Sequence, residues 1–160
     1  MTTDTITAGE PTTITVADDV AAPPDRVLAA ACDFSERRAG VFPAVSARHM
    51  TVHSIGDTTA DVTEGTRVGP FVLWERCSYD WSQPGIVTAT VTDSNIYAFP
   101  GSKWDITATA TDGGSRVEMV WTRTFQRRLG GRIMGFVYRH FGERSFTKYG
   151  REIARNIERL

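Results

Sequence analysis

The chain has 160 residues, of which 41% are hydrophobic and 23% charged, an ordinary globular composition and enough length for a substantial core. Its 18 basic and 19 acidic side chains leave a formal net charge of −1, so no overall field favours nucleic acid or an anionic membrane. No apolar run approaches the about 20 residues that a membrane-spanning helix needs.

The first stretch, Met1–Pro11, is Thr-rich and lacks the charged and apolar regions of a signal peptide, so a disordered tail is expected there and one domain over residues 12–160. Thr12–Val20 alternates, with Ile14, Val16 and Val20 on one face and Thr13, Thr15 and Asp19 on the other, as in a half-buried strand. Pro23 ends it and Pro24 can open a helix, whose apolar stripe is Val27, Ala30, Ala31 and Phe34. Ser35–Phe42 suits a second short turn of helix, closed by Pro43.

Six strand-like runs follow: Ser46–Ile55, Ala60–Val68, Phe71–Ser82, Ile86–Phe99, Ser102–Thr111 and Ser115–Phe125. Gly56-Asp57, Gly69-Pro70, Pro84-Gly85, Pro100-Gly101 and Asp112-Gly113-Gly114 punctuate them. Such connections are too short for crossover helices, so neighbouring strands should be antiparallel. The last stretch, Leu129–Leu160, is helical. Phe146, Tyr149, Ile153, Ile157 and Leu160 form one apolar stripe, Ile133, Val137 and Phe141 another, and a kink is expected at Gly142, with the earlier part a lid-like segment. The basic residues of this quarter, from Arg123 to Arg159, read as a solvated face with helical partners such as Glu152 and Glu158.

Strand, helix pair, six strands and long terminal helix make an α+β chain: a curved antiparallel sheet of about seven strands wrapped around the last helix. In this order the chain resembles the START-like, or helix-grip (SRPBCC, Bet v 1-like), superfamily, and within it bacterial polyketide cyclase/dehydrase-type proteins. The residues that carry the resemblance are Ile14-Thr15-Val16 with Val20 and Ala22-Pro23, Cys32-Asp33-Phe34, Trp81 with Pro84-Gly85, and Gly114-Ser115-Arg116-Val117 with Trp121. Where many relatives carry Trp and Pro after the Asp-Phe pair, this chain reads Ser35-Glu36-Arg37-Arg38-Ala39-Gly40-Val41-Phe42-Pro43. The resemblance implies a cavity between sheet and terminal helix that takes a small hydrophobic molecule, polyketide-, aromatic- or lipid-like.

Polar residues on apolar stripes mark candidate sites in such a cavity, because burying them without partners is costly. In Ile86–Phe99 the parity Val87, Ala89, Val91, Asp93, Asn95, Tyr97, Phe99 reads as inward with a polar band; the alternative is a bulge at Asp93–Asn95 whose side chains cap loose backbone. In Phe71–Ser82 either parity places a charge beside aromatics: Glu75 with Tyr79 on one, Trp74 and Arg76 on the other. Trp104 and Trp121 are core or cavity-lining. Glu75 and Asp93 are therefore the acid/base candidates, and Trp74, Arg76, Tyr79, Asn95, Tyr97, Trp104 and Trp121 the ligand contacts.

His49, His53 and His140 do not cluster with carboxylates, so no metal is expected, and no phosphate-cradling loop or nucleophile elbow calls for a cofactor or covalent chemistry. Cys32 and Cys77 lack metal or redox spacing, as suits a reduced, cytoplasmic protein. Catalysis, if present, is positioning and proton transfer, as in aldol-type cyclisation or dehydration, with Arg76, Asn95 and Tyr97 steadying the oxygen. Two other readings stand beside it. One is a non-catalytic carrier or sensor; the other is an interaction protein with a collapsed core that docks through the basic helix. No nucleic-acid partner is expected, and a homodimer is left open.

Overall fold

In the computed structural model, which describes residues 9–160, the chain runs β1 (Thr12–Val20), α1 (Pro24–Ala31), α2 (Arg38–Val41), β2 (Thr51–Ile55), β3 (Thr59–Val68), β4 (Phe71–Asp80), β5 (Ile86–Ser94), β6 (Lys103–Thr111), β7 (Gly114–Arg123) and α3 (Leu129–Glu158). The seven strands form one antiparallel sheet in the order β1-β7-β6-β5-β4-β3-β2. Hairpins join β2 through β7, and the long return to β1 leaves α3 to cover the inner face. This is the helix-grip, or Bet v 1-like, fold. Most of the expected tail, Met1–Ala8, lies outside the described residues, and Gly9 donates its N–H to Phe125 O (3.4 Å).

The core is built from alternate strand positions, as the pleat dictates. Ile14 and Val16 of β1, Val117, Met119 and Trp121 of β7, and Trp104 and Ile106 of β6 are buried, and Ile153 and Ile157 of α3 close over them. The Trp121 indole meets Phe146 edge-on with ring centres 4.9 Å apart. α1 packs against β5, β6, β7 and α3. Asn156 of α3 donates to Val41 O (3.2 Å), which ties α2 to the same helix.

Four expectations are corrected. The run from Ser46 starts as a 3₁₀ turn at Ala47–His49, and only Thr51–Ile55 is strand. The Ile86–Phe99 run leaves the ladder after Ser94. α3 is continuous for 30 residues, with no break at Gly142. A Cβ there would stand 2.9 Å from Ile14 Cδ1, and one at Gly150 2.8 Å from Val16 Cγ1, so these glycines serve the close approach of α3 to β1. Lastly, Ile133, Val137 and Phe141 point to solvent, and the buried positions of that half are Gly131, Tyr138 and Gly142.

The basic residues of α3 are solvated as expected. Among the described residues no ion pair joins them to Glu152 or Glu158, and Glu158 instead accepts the Ala21 N–H (2.9 Å). No described helix is long and apolar enough to cross a membrane.

Candidate functional site

Sheet and α3 separate over β3, β4 and β7 and leave a cavity of about 450 Å³. Its wall is mostly apolar and aromatic: Phe42, Trp104, Met119, Trp121, Phe125, Met134, Phe146 and Tyr149. Val68 at the end of β3 and Ser145 on α3 both line the cavity and are exposed, so they stand at its mouth. Cavities of a few hundred Å³ with rings and a few polar groups are the usual form of a small-molecule site.

Four charged side chains face this apolar interior, in two pairs. Arg38 of α2 is 1% exposed. Its Nε donates to Glu64 Oε1 (2.6 Å), its Nη1 to Ala31 O (2.7 Å) and its Nη2 to Tyr79 Oη (3.0 Å), while the Tyr79 hydroxyl donates to Glu64 Oε2. The guanidinium carbon also lies 4.1 Å from the centre of the Phe42 ring. Arg38 is thus paired, hydrogen-bonded and stacked on every side.

The second pair is looser. Arg123 of β7, 4% exposed, donates from Nη2 to Glu75 Oε1 (3.1 Å), and its Nη1 stands 3.0 Å from Glu75 Oε2. Its guanidinium carbon lies 4.5 Å from the Tyr97 ring centre. Arg123 Nε and the Tyr138 hydroxyl are buried and have no hydrogen-bonding partner among the described residues. Burial pushes the Glu75 carboxyl above its usual range; Arg123 pulls it back and Glu64 adds to the rise. Burial likewise raises the Tyr97 phenol to about 12, so it stays a neutral hydroxyl.

Of the residues marked by sequence, Glu75, Trp74, Tyr97, Trp104 and Trp121 line the cavity. On β4 the inward parity is therefore the one holding Glu75, Cys77 and Tyr79, and Trp74 reaches the wall from the other. Tyr79 is fully buried behind the wall, where its hydroxyl orders Arg38 and Glu64.

Arg76, Asp93 and Asn95 lie outside the cavity. Arg76 points to the outer face and pairs with Asp61 (Nε to Oδ1, 2.8 Å), a half-exposed contact that solvent screens. Asp93 is exposed, because β5 carries a bulge. Arg76 pairs with Asp93 but Cys77 with Val91, so Thr92 is the extra residue and the parity reverses after it. Ser94 is buried in place of Asp93, and the Asp93 side chain accepts the Ser94 N–H (2.8 Å). Asn95 closes the gap between strands, accepting from Trp74 N–H (2.9 Å) and donating to Val72 O (2.9 Å). The inward reading of Asp93 and Asn95 gives way to the bulge.

Glu64, Arg123, Arg38 and Tyr138 were missed as site residues. The first two gave a signal: each is a charge on an apolar parity, Ala60-Val62-Glu64 and Val117-Met119-Trp121-Arg123. Arg38 and Tyr138 gave none.

A family model described as polyketide cyclase / dehydrase and lipid transport matches residues 11–159. Among solved structures, the chain is similar to the ZhuI aromatase/cyclase from Streptomyces sp. R1128, with a TM-score of 0.71 at 17% identity over 94% of this chain and 95% of that one. It is similar to the protein TTHA0849 from Thermus thermophilus, with a TM-score of 0.73 at 10% identity over 91% and 97%. A START superfamily protein from Mycobacterium smegmatis aligns at 0.64 and 9% identity over 94% and 95%. At these identities the structures speak for the fold alone. No curated protein matches the sequence. With the match running through nearly all of its described residues, the chain belongs to the polyketide cyclase / dehydrase and lipid transport family.

Proposed function

We propose that the domain over residues 12–160 holds one neutral, largely apolar molecule bearing at least one carbonyl or phenolic oxygen, in the cavity between sheet and α3. The observation that carries this reading is the pair of buried donors, Arg123 Nε and Tyr138 Oη, that lack a protein partner on an otherwise aromatic wall. A buried polar group without a partner costs about 1–3 kcal/mol, and a ligand oxygen placed between them removes that cost.

Charge balance argues for a neutral ligand. Each arginine at the cavity already has its carboxylate, Arg38 with Glu64 and Arg123 with Glu75. A ligand carboxylate would add an uncompensated charge to a desolvated site. Polyketide-like and other aromatic skeletons fit; a free fatty acid does not. The free thiols Cys32 and Cys77 suit the reduced, cytoplasmic setting in which such a protein would work.

In the catalytic form of the reading, Glu75 removes a proton from carbon beside a ligand ketone. Arg123 and Tyr138 hold the resulting enolate oxygen, the enolate carbon bonds to a second carbonyl carbon of the same molecule, and the proton returns to the new alkoxide. The raised Glu75 carboxyl brings its proton affinity closer to neutrality, which suits that exchange. One observation favours a carrier instead: Glu75 Oε1 already accepts from Arg123, and Oε2 stands 3.0 Å from Arg123 Nη1.

Native mass spectrometry of freshly purified protein tests the binding reading. A co-purifying neutral aromatic or polyketide-sized species supports it, and a fatty acid as the sole bound species contradicts it. Glu75→Gln then separates enzyme from carrier, since only the enzyme has a turnover to lose.

A further inference from the structure

We propose that the first half of α3, together with the β3–β4 turn, docks on an anionic lipid surface and brings the cavity mouth against it. Leu129, Ile133, Phe136, Val137 and Phe141 are all exposed, Leu129 by 76% and Phe141 by 63%. At 100° per residue these five side chains share one side of the helix, opposite the buried Gly131, Tyr138 and Gly142. This half of α3 is therefore apolar on both sides, and the core uses only one.

The outer stripe leads to the mouth. Phe141 lies one turn before Ser145, an exposed residue of the cavity lining. The other exposed lining residue, Val68, sits at the β3–β4 turn with Phe71, which is 70% exposed. Apolar side chains thus protrude from both elements that frame the opening.

Charge identifies the partner. Residues 127–144 carry the exposed arginines Arg127, Arg128, Arg132, Arg139 and Arg144 against a single acid, Glu143. The whole-chain charge of −1 does not cancel this patch at contact, because fields of distant charges fade within about 8–10 Å at physiological salt. A second copy of the chain would press like charge on like charge. An anionic bilayer answers both features: its headgroups attract the arginines, and its acyl boundary takes the protruding rings. The docked pose gives an apolar ligand a path between bilayer and cavity that avoids water. The inference does not depend on which ligand the cavity holds.

The test is co-sedimentation of the full chain with phosphatidylcholine vesicles, with and without phosphatidylglycerol. Binding is expected only to the anionic vesicles, at least about tenfold weaker in high salt. It should fall by at least about tenfold in Phe136→Asp/Phe141→Asp and in Arg132→Glu/Arg139→Glu. Both pairs are exposed, and an unchanged thermal midpoint confirms that the variants fold. Vesicle binding that is absent, or indifferent to both double variants, overturns the proposal. So does a dimer in sedimentation velocity that Phe136→Asp/Phe141→Asp converts to monomer, which assigns the stripe to a second copy. Salt-sensitive binding of polyglutamate without vesicle binding also overturns it, in favour of an acidic protein.

Discussion

Glu64 of β3 and Glu75 of β4 are direct cross-strand partners on the inner face of the sheet, and each is answered by an arginine from a different element. Two carboxylates so placed repel across the ladder unless each is compensated. Arg38 arrives from α2 and Arg123 from the end of β7. The polar floor of the cavity thus joins the sheet to both sides of the fold. It also leaves Arg38 hydrogen-bonded through all three nitrogens and Arg123 with Nε and Nη1 lacking a hydrogen bond among the described residues.

Removing Arg123 should strand the Glu75 carboxylate. Arg123→Met is expected to cost about 3 kcal/mol at neutral pH, the usual result of breaking one side of a buried pair. Because Arg123 is the group pulling the Glu75 carboxyl down, that carboxyl should move higher still in the variant. The loss should then shrink in mild acid, where the orphaned group takes up a proton. Urea unfolding at two pH values reads both effects.

The wild-type Glu75 carboxyl itself leaves a pH signature. Its folded value lies above its unfolded value of about 4.3, so its stabilising contribution is complete below that point. The contribution is lost as pH rises through the folded value. The difference in unfolding free energy between wild type and Glu75→Gln should therefore fall as pH rises from about 4.3 through the raised folded value. A difference that grows over this window would mean that Arg123 outweighs burial.

Arg38 and Glu64 should behave as one unit. Arg38→Met and Glu64→Gln are each expected to cost about 3–5 kcal/mol. The double variant should cost less than the two together by at least about 1 kcal/mol, since the groups share the Tyr79 hydroxyl. A double-mutant cycle by urea denaturation measures the coupling.

Ligand charge should decide affinity. Fluorenone should bind at least about tenfold more tightly than a fluorenone carboxylate of the same skeleton, and Glu75→Gln should narrow or reverse that ratio by freeing Arg123. Isothermal titration of both compounds to both proteins checks it.

Much of the fold was legible because alternation and turn residues are local. The strands β3, β6 and β7, to within two residues at each end, and the helix at Pro24 follow from them. What failed has two physical causes. A single extra residue at Thr92 reverses the parity at Asp93 and Ser94, where the strand ends, so a parity read from Val87 to Val91 cannot be carried to Asp93 and Asn95. On α3 the stripe Ile133-Val137-Phe141 is a true helical face, but periodicity does not say which face meets the sheet. Close packing chose the glycine side, where Gly142 and Gly150 admit Ile14 and Val16. Glu75 was legible as a charge among aromatics once its parity was known. Arg38 was not, because it comes from a short helix with no pattern of its own.

Trp74, Trp104 and Trp121 stand in the wall of the cavity and should report on a neutral ligand bound there. Titration with fluorenone, followed by tryptophan fluorescence, should show saturable quenching with one molecule per chain. Ser145→Phe at the exposed mouth should weaken it by at least about tenfold without lowering the thermal midpoint. Quenching that never saturates in the wild type, or is untouched by Ser145→Phe, would contradict the account.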